Sequence, residues 1–327
     1  MNFSVVYDSS TDQVLMRDHF MNTLTELLDH DPRVVAGDAD MNITLCSYDK
    51  LWSLRERYGD RFFDTGIQEA NLVGMAAGLS LGGKIPFIHA FSQFITRRAY
   101  DQIYLSLAYA GLNARLIGSD PGYTAGYNGG THTSLEDIGI MRCIPNITIF
   151  DVTDGVMLES IMRDMIDVKG VIYIRTPRKL KMARVYGEGS RFEIGKANLL
   201  RDGSDVSLVA SGIMVAKALA AAEKLAKEGV DAQVVDVVTI KPLDEQCILD
   251  CAKKTHAIVS CENHRVVNGQ ASAIADVLAR SGIPTAYTSV GIGERFGEVG
   301  PLDYLEKAYA LTVDDICEKA REAITKK

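Results

Sequence analysis

One glutamate opens an otherwise apolar, small-residue helix and is a candidate for acid–base chemistry. Glu69 begins the segment 69–78, in which Gly74 and Gly78 lie four residues apart. Residues four apart share a helix face, and glycines there let another backbone come close. A carboxylate entering an apolar helix is costly unless paired, but the helix dipole also favours a solvent-facing glutamate at this position. The pattern leaves open a proton-handling carboxylate and a solvated helix-start residue.

Other residues capable of chemistry fall where predicted strands end. Asp40 follows a short apolar strand, His89 and Phe91 end the next long one, and Arg175 ends a later strand before Thr-Pro. In open α/β sheets, ligands bind in the crevice outside the carboxyl ends of the strands. These residues are therefore candidates for one common site.

A long loop, residues 119–132, follows another predicted strand and is called the glycine-rich loop below. It contains four glycines and one proline and ends in Thr-His132. This composition predicts no regular structure, and a loop of this length inside a compact domain is usually functional.

Composition and charge narrow the class of protein. The chain has 327 residues, 47% hydrophobic and 24% charged, which is enough for two domains with full cores. A net charge of −8 argues against nucleic-acid binding and gives no electrostatic reason for membrane association. No apolar run reaches the length of a membrane span, and the first residues resemble no signal peptide. Six cysteines without a Cys-x-x-Cys pair predict free thiols, no metal site and a reducing cytoplasm.

Strands and helices alternate along the whole chain. This alternation predicts an α/β protein of two doubly wound domains, each with a mainly parallel sheet. A charged, glycine-containing break at roughly 180–190 predicts the linker. We therefore expect a first domain over 1–185 and a smaller α/β domain over 190–327.

Four motifs occur in a distinctive order: Gly-Asp-Ala-Asp40, Gly-Ile-Gln-Glu69-Ala, Phe91-x-x-Phe94 with Arg-Ala-Tyr-Asp-Gln after it, and Gly-Gly-Thr-His132. In this order they resemble transketolase, specifically the pyrimidine-binding and C-terminal domains of thiamine diphosphate enzymes of that type. The resemblance covers essentially the whole chain. It implies a thiamine diphosphate-dependent transferase that moves a two-carbon ketol unit from a ketose to an aldose.

One part of the family pattern is absent from this sequence. The family binds the cofactor diphosphate and Mg²⁺ through a Gly-Asp-Gly motif followed by Asn-Asn, and the chain has no Gly-Asp-Gly. The resemblance therefore implies the C-terminal subunit of a split transketolase. It further implies a partner N-terminal subunit that carries the diphosphate and Mg²⁺ site, in an α2β2 heterotetramer.

The resemblance also implies roles for individual residues. Glu69 matches the catalytic glutamate that hydrogen-bonds N1′ of the cofactor's aminopyrimidine. Phe91 and Phe94 match the aromatic residues that hold the aminopyrimidine, Phe91 by stacking. Asp40 matches an acid near the cofactor and the subunit interface, and His132 matches a catalytic histidine that contacts the ketose hydroxyls.

Further matches concern the substrate. Arg17, Thr44 and Arg175 fall at positions that hold the sugar phosphate, a role that suits arginine. Two positions depart from transketolase: Asp120 stands for a phosphate-contacting histidine and Asn128 for a donor-binding aspartate. An added anion beside a phosphate is unfavourable.

These departures put the standard donors in doubt and favour a specialised anionic ketose. His89, where the family usually has a small residue, is a candidate to compensate for Asp120. The same reasoning predicts that Asp120→His with Asn128→Asp shifts preference towards ordinary ketose phosphates.

Two alternatives stay open at this point. One is another thiamine enzyme, either a 1-deoxyxylulose-5-phosphate synthase-like protein, to which Asp120 is closer, or a 2-oxo acid dehydrogenase beta subunit. The other is a non-catalytic interaction subunit, against which the presence of Glu69 argues.

Overall fold

The structure is a computed structural model that describes residues 2–41 and 48–327, with the side chains of residues 48–52 excluded. Thr44, a predicted sugar-phosphate ligand, lies outside the described residues. No helix of the described part is long and apolar enough to cross a membrane.

The first domain is built on parallel strands with helices between them. Its strands are β1 (Val34–Asp38), β2 (Phe62–Asp64), β3 (Ile85–Phe91), β4 (Ala114–Ser119), β5 (Thr148–Asp151) and β6 (Val171–Thr176). Its helices are α1 (Met16–His30), α2 (Tyr48–Tyr58), α3 (Glu69–Leu81), α4 (Phe94–Arg98, Tyr100–Gln102 and Ile103–Tyr109, mostly π-helical), α5 (Asp137–Arg142) and α6 (Gly155–Asp164). Short 3₁₀ segments cover Gly59–Arg61 and Gly122–Asn128.

The second domain repeats the pattern on a smaller sheet. The strands of this sheet are β7 (Asn198–Arg201), β8 (Val206–Ala210), β9 (Ala232–Asp236), β11 (Ala257–Arg265) and β12 (Ala286–Ile292). One further strand of this part of the chain, β10 (Thr239–Lys241), joins the larger sheet. The helices of the second domain are α7 (Met214–Ala226), α8 (Glu245–Thr255), α9 (Gln270–Ser281), α10 (Leu302–Ala308) and α11 (Val313–Thr325).

Strand order confirms the predicted doubly wound fold. The larger sheet runs β10-β5-β6-β4-β3-β1-β2 and the smaller one β12-β11-β8-β9-β7. Of the strands in residues 2–41 and 48–327, only the edge strands β10 and β7 are antiparallel to their neighbours. Helices cover both faces, so the central strands are buried throughout, as parallel strands require. The carboxyl ends of β1, β3, β4 and β6 therefore meet at one edge.

Three features differ from the sequence expectation. Strands β7 and β10 were not predicted, because each is short and lies at a sheet edge. Strand β10, from the second half of the chain, pairs with β5 of the first domain's sheet. The glycine-rich loop, expected to be irregular, contains 3₁₀ turns over Gly122–Asn128, interrupted at Gly126 by a positive φ of 57°. Its glycines therefore link short turns instead of abolishing them.

A buried ionic cluster joins the two domains. Arg175, at the end of β6, has no exposed surface and pairs with Asp137 at 2.8 Å and with Asp151 at 2.9 Å. Its Nη2 also donates to the carbonyl of Asn263, in the second domain, at 3.0 Å. Burial acts to raise the pKa of Asp137, but the charge of Arg175, the charge effect of His264 and hydrogen bonds from Arg175 and Tyr173 together hold that pKa below the ordinary value. Burial raises the pKa of the second carboxylate, Asp151, against the opposing charge of Arg175. The contact of Arg175 with the Asn263 carbonyl ties β6 to β11.

Candidate active site

Glu69 is the first residue of α3 and its side chain is only 2% exposed. The preceding turn brings it there because Gly66 adopts a positive φ of 71°. Glu69 Oε2 accepts a hydrogen bond from Arg98 Nη1 at 2.7 Å, and Arg98 itself is 45% exposed. Of the two interpretations of Glu69, the structure favours the proton-handling carboxylate over the solvated helix-start residue. Glu69 is buried and paired, and its partner Arg98 lies at the protein surface.

Three aromatic rings lie beside this pair. The Phe91 and Phe94 rings are 6.0 Å apart and nearly perpendicular, and the His132 ring lies 5.4 Å from Phe91 and 5.2 Å from Phe94. The Arg98 guanidinium stacks 4.0 Å from the Phe94 ring centroid. Because Arg98 also holds Glu69, the carboxylate, the aromatic rings and the histidine form one continuous surface.

Asp120 lies on the far side of these rings and is clamped. Its Oδ2 accepts from Arg178 Nε at 2.9 Å and from Nη2 at 2.7 Å, and its Oδ1 accepts from the Arg178 backbone N–H at 2.7 Å. The Arg178 guanidinium lies 4.7 Å from the Phe91 ring centroid. Asp120 is therefore not the free anion expected from the sequence, because a buried arginine neutralises it. Arg178 Nη1 has no partner among the described residues.

His89 is buried on β3, and its ring nitrogen is paired with Asp38 and not with Asp120. Its Nδ1 lies 2.8 Å from Asp38 Oδ2, and its Nε2 has no partner among the described residues. Burial raises the pKa of Asp38, against the opposing effect of the His89 hydrogen bond. His89 lines a small cavity together with Arg17 and Arg178. The Arg17 backbone N–H donates to the Arg178 carbonyl at 3.0 Å, so these cationic residues are neighbours.

Two other predicted residues lie at the exposed rim. Asp40 has a positive φ of 60°, and its backbone N–H donates to Asp64 at 3.0 Å, which leaves its carboxylate in solvent. Asn128 is exposed in the glycine-rich loop. Neither is held by a described side-chain hydrogen bond to the buried group, so their roles remain proposals.

Arg175 was predicted to hold a sugar phosphate, and the structure places it elsewhere. Its side chain is 0% exposed and committed to Asp137 and Asp151 between the domains. A substrate phosphate could reach it only by breaking that cluster. We correct this assignment to a structural role. The arginine near the end of β6 whose guanidinium lies over Phe91 is Arg178, three residues later.

Sequence reasoning missed Arg98 and Arg178. Arg98 stands four residues after Phe94, the spacing that brings helical side chains together, and this signal could have identified it. Arg178 had no comparable signal, because its contact with Asp120 joins residues 58 positions apart.

Comparisons with known proteins define the family to which the chain belongs. The model for the transketolase pyrimidine-binding domain matches residues 12–182, and that for the transketolase C-terminal domain matches residues 195–316. Together they match well over half of the chain, so the chain belongs to the transketolase family, which is thiamine diphosphate-dependent. This confirms the family predicted from the motifs.

Individual relatives are similar over nearly the whole chain. A 6-deoxy-6-sulfo-D-fructose transketolase subunit, SqwH, of Clostridium sp. (strain MSTE9) is 44% identical over 312 residues, 95% of each chain. A solved structure titled split gene transketolase, inactive beta4 tetramer, is 36% identical, with a TM-score of 0.87 over 96% of this chain and 99% of that one. The 1-deoxy-D-xylulose-5-phosphate synthase of Heliobacterium modesticaldum is 34% identical over 93% of this chain but only 46% of that protein.

The residues present fit the aminopyrimidine half of thiamine diphosphate. A buried carboxylate lies within one contact of an aromatic pair, and buried polar atoms of the same segments lack partners among the described residues. These atoms are Ser92 Oγ, both side-chain polar atoms of Gln93, and Ser134 Oγ. Such atoms are costly unless a ligand or water satisfies them. Within residues 2–41 and 48–327, no cluster of three His, Cys, Asp or Glu side chains could hold a metal.

Proposed function

We propose that this chain is the C-terminal subunit of a two-subunit, thiamine diphosphate-dependent transketolase that transfers a two-carbon ketol unit from an anionic ketose to an aldose. The single observation that carries the proposal is the unbroken series of contacts across the site. It runs from Glu69 through Arg98, Phe94, His132 and Phe91 to Arg178 and Asp120. One end suits a protonated ring nitrogen and the other an anion.

When bound, the cofactor supplies the carbanion chemistry of ketol transfer. Glu69 would accept a hydrogen bond from N1′ of the aminopyrimidine and hold a proton at that atom. Arg98, half exposed, would orient the Glu69 carboxylate through the bond they already share. Phe91 and Phe94 would pack on the aminopyrimidine and exclude water from it.

His132 would act on the sugar. Its ring is held edge-on against both phenylalanines, and Thr131 Oγ1 lies 2.9 Å from its Nδ1, which leaves Nε2 to face a ligand. Imidazole is the side-chain group that most often serves as a general acid or base, so Nε2 would take and return a hydroxyl proton during carbon–carbon cleavage. Asn128, on the same loop, would hydrogen-bond a donor hydroxyl.

The donor's anionic group would lie near Arg178, with Arg17 and His89 adjacent. Arg178 already donates hydrogen bonds from Nε and Nη2 to Asp120, so the pair carries no net charge. Its Nη1 is left to donate a hydrogen bond to the donor's anionic group. This arrangement suits a terminal anion bound by few directed hydrogen bonds, and a sulfonate such as that named for the SqwH relative is the first to test. Phosphate, with its greater charge, is the second.

We propose that the partner subunit covers the open face beside Glu69. Exposed apolar side chains on α3, α4 and the turn before α3 form this face: Ile67, Met75, Leu105 and Tyr109. The Cβ positions of Gly74 and Gly78 on α3 meet nothing within 4 Å. Among the described residues, no cluster of three His, Cys, Asp or Glu side chains could hold the Mg²⁺ that accompanies the diphosphate. The subunit supplying the diphosphate and Mg²⁺ site would therefore bury this face in an α2β2 heterotetramer, and Asp40 lies at its rim.

The test is a ketol-transfer assay of the chain with its partner subunit, thiamine diphosphate and Mg²⁺. Donors would be 6-deoxy-6-sulfo-D-fructose, fructose 6-phosphate and xylulose 5-phosphate, with pyruvate as the substrate expected of a synthase or 2-oxo acid enzyme. Thiamine-dependent transfer from an anionic ketose supports the proposal. Turnover of pyruvate alone would overturn it in favour of the second thiamine-enzyme class.

A further inference from the structure

The first half of the glycine-rich loop rests on one side chain of the second domain. Asn263, at the end of β11 and 2% exposed, accepts from the Tyr123 backbone N–H through Oδ1 at 3.0 Å. Its Nδ2 donates to the Pro121 carbonyl, also at 3.0 Å. Gly122 between them has a positive φ of 59°, and a Cβ there would lie 2.0 Å from Asn263 Oδ1. Only glycine permits this close approach.

The second half of the loop interlocks with residues 293–300, the segment between β12 and α10. A Cβ on Gly130 would lie 2.6 Å from the Gly297 carbonyl oxygen, and one on Gly129 would lie 2.5 Å from Val299. Reciprocally, a Cβ on Gly297 would lie 2.5 Å from the Thr133 Cβ. Real Cβ atoms do not approach so closely, so glycines on both sides bring the two backbones together.

These contacts lie directly on either side of His132. The His132 backbone N–H donates to the Gly129 carbonyl at 2.9 Å, and Thr133 Oγ1 donates to the same carbonyl at 2.8 Å. The turn that carries His132 is therefore built on Gly129, whose neighbour Gly130 is pressed against Gly297. A shift of the 293–300 segment would move the His132 ring relative to Phe91 and Phe94.

We propose that the second domain positions the sugar-contacting histidine: Asn263 and the 293–300 segment clamp the glycine-rich loop and set the place of His132 over the aromatic pair. This inference rests on the proposed function of His132, and it gives the second domain a part in donor binding. Asn263 connects this clamp to the buried ionic cluster around Arg175. Its backbone carbonyl accepts a hydrogen bond from Arg175, and its side chain holds the glycine-rich loop.

The test uses one methyl group as a wedge. Gly297→Ala and Gly130→Ala each insert a Cβ into the interlock, and neither glycine has a positive φ that alanine would strain. Gly293→Ala is the matched control, because it lies in the same segment and its Cβ would meet nothing within 4 Å. Val299→Ala loosens the contact with Gly129 without adding a wedge.

Two readouts separate the positioning from the activity. In the full chain, ¹³C labelling of the six histidines should show the His132 signal displaced by Gly297→Ala and Gly130→Ala and unmoved by Gly293→Ala. In the complete enzyme, the wedge variants should lower kcat/KM for the donor at least 10-fold, since small misplacements of a reacting group cost up to about 100-fold. Cofactor affinity should stay within about twofold of wild type, because Glu69 is untouched.

The outcomes distinguish the two proposals. A displaced His132 signal in a protein whose wild type transfers no ketol unit would support the clamp and overturn the proposed function. An unmoved signal, or equal kinetic losses in the wedge variants and Gly293→Ala, would overturn the clamp. Thermal unfolding of each variant checks that the fold persists. If the wedge variants fail to fold, Val299→Ala decides, with a smaller displacement of His132 supporting the clamp and none overturning it.

Discussion

Two arginine–carboxylate pairs in this chain differ in how completely the protein surrounds them. Arg175 lies between the domains with 0% exposure, and two aspartates and a backbone carbonyl engage it. Arg98 pairs with the buried Glu69 but is itself 45% exposed, beside an apolar surface. This chain alone surrounds the Arg175 pairs completely, whereas it surrounds the Arg98–Glu69 pair on one side only.

The difference separates a structural charge from a functional one. A fully enclosed ion pair must offset its desolvation through close geometry and additional hydrogen bonds. Arg175 has hydrogen bonds to Asp137 and to the Asn263 carbonyl, and its Nη1 lies 2.9 Å from Asp151. At Glu69 the carboxylate is buried while its partner stays at an open edge, so a ligand can join or replace the arginine. Perturbing each pair should therefore affect different properties.

The largest expected effect is at Glu69. Glu69→Gln keeps the shape of the side chain but cannot hold a proton at the cofactor ring nitrogen, so turnover should fall about 10²–10⁴-fold. Unfolding midpoints should change little. Steady-state kinetics with the partner subunit is the measurement.

Glu136→Gln is the matched control for this variant. Glu136 forms a comparable 2.8 Å bond to the neighbouring Arg97, and the variant should stay within about twofold of wild type. Retention of more than a third of the wild-type rate by Glu69→Gln would refute the role of Glu69.

Arg175→Met should act on stability instead. It leaves Asp137 and Asp151 buried without their cation, and breaking a buried pair costs about 3–5 kcal/mol. Urea unfolding should show this loss. Arg163→Met removes partly exposed pairs with Glu26 on α1 and Glu159 on α6, and it should cost no more than about 1 kcal/mol. A loss below about 1 kcal/mol for Arg175→Met would show that the cluster does not join the domains.

Arg178→Met tests the anion end of the site. Hydrogen bonds to charged groups contribute about 1.5–3 kcal/mol, so kcat/KM for an anionic ketose should fall on the order of 10–100-fold. An uncharged ketose should lose much less, and comparing the two donors is the measurement. Equal losses would mean that Arg178 only supports the loop.

The Asp120→His and Asn128→Asp pair should not convert the enzyme to ordinary ketose phosphates, contrary to the expectation from sequence. The structure gives the reason, because Asp120→His removes the buried partner of Arg178. Kinetics of the double variant with fructose 6-phosphate checks this. Improved kcat/KM for that donor would restore the sequence-based view that Asp120 repels phosphate.

The smallest effect concerns His19, which belongs to neither pair. Its ring bridges Glu159 at 2.7 Å and Asp12 at 3.0 Å, and the Glu159 hydrogen bond raises the pKa of His19 above its ordinary value. Because the pKa of His19 is higher in the folded than in the unfolded chain, its charged form stabilises the folded state. This contribution to the free energy of unfolding is complete below about pH 6.5 and is lost as the pH rises through the pKa of the folded state. His19→Gln should therefore destabilise by up to about 1 kcal/mol at pH 6 and much less at pH 9. A pH-independent difference in urea unfolding would contradict it.

Much of the fold and the core of the site followed from local pattern. Strands and amphipathic helices each show a hydrophobic pattern over a few neighbouring residues, and this pattern does not depend on how the elements pack together. The two parallel sheets and most helices were therefore predictable. The motif around Glu69, the Phe91/Phe94 spacing and the Thr-His132 ending are also local, and they were enough to indicate the family. The missed strands β7 and β10 are short edge strands whose pairing depends on distant residues.

The choice between Arg175 and Arg178 was decided only by tertiary structure. Both are arginines near the end of β6, and no local pattern separates them. Packing of the second domain buries Arg175 against Asp137 and Asp151, whereas the chain beyond the strand carries Arg178 over Phe91. The ion pair between Asp120 and Arg178 likewise joins residues far apart in sequence. Asp120 was expected to be an unpaired anion, and the structure shows that Arg178 neutralises it. Desolvation and pairing depend on what three dimensions bring together, and spacing along the chain does not encode them.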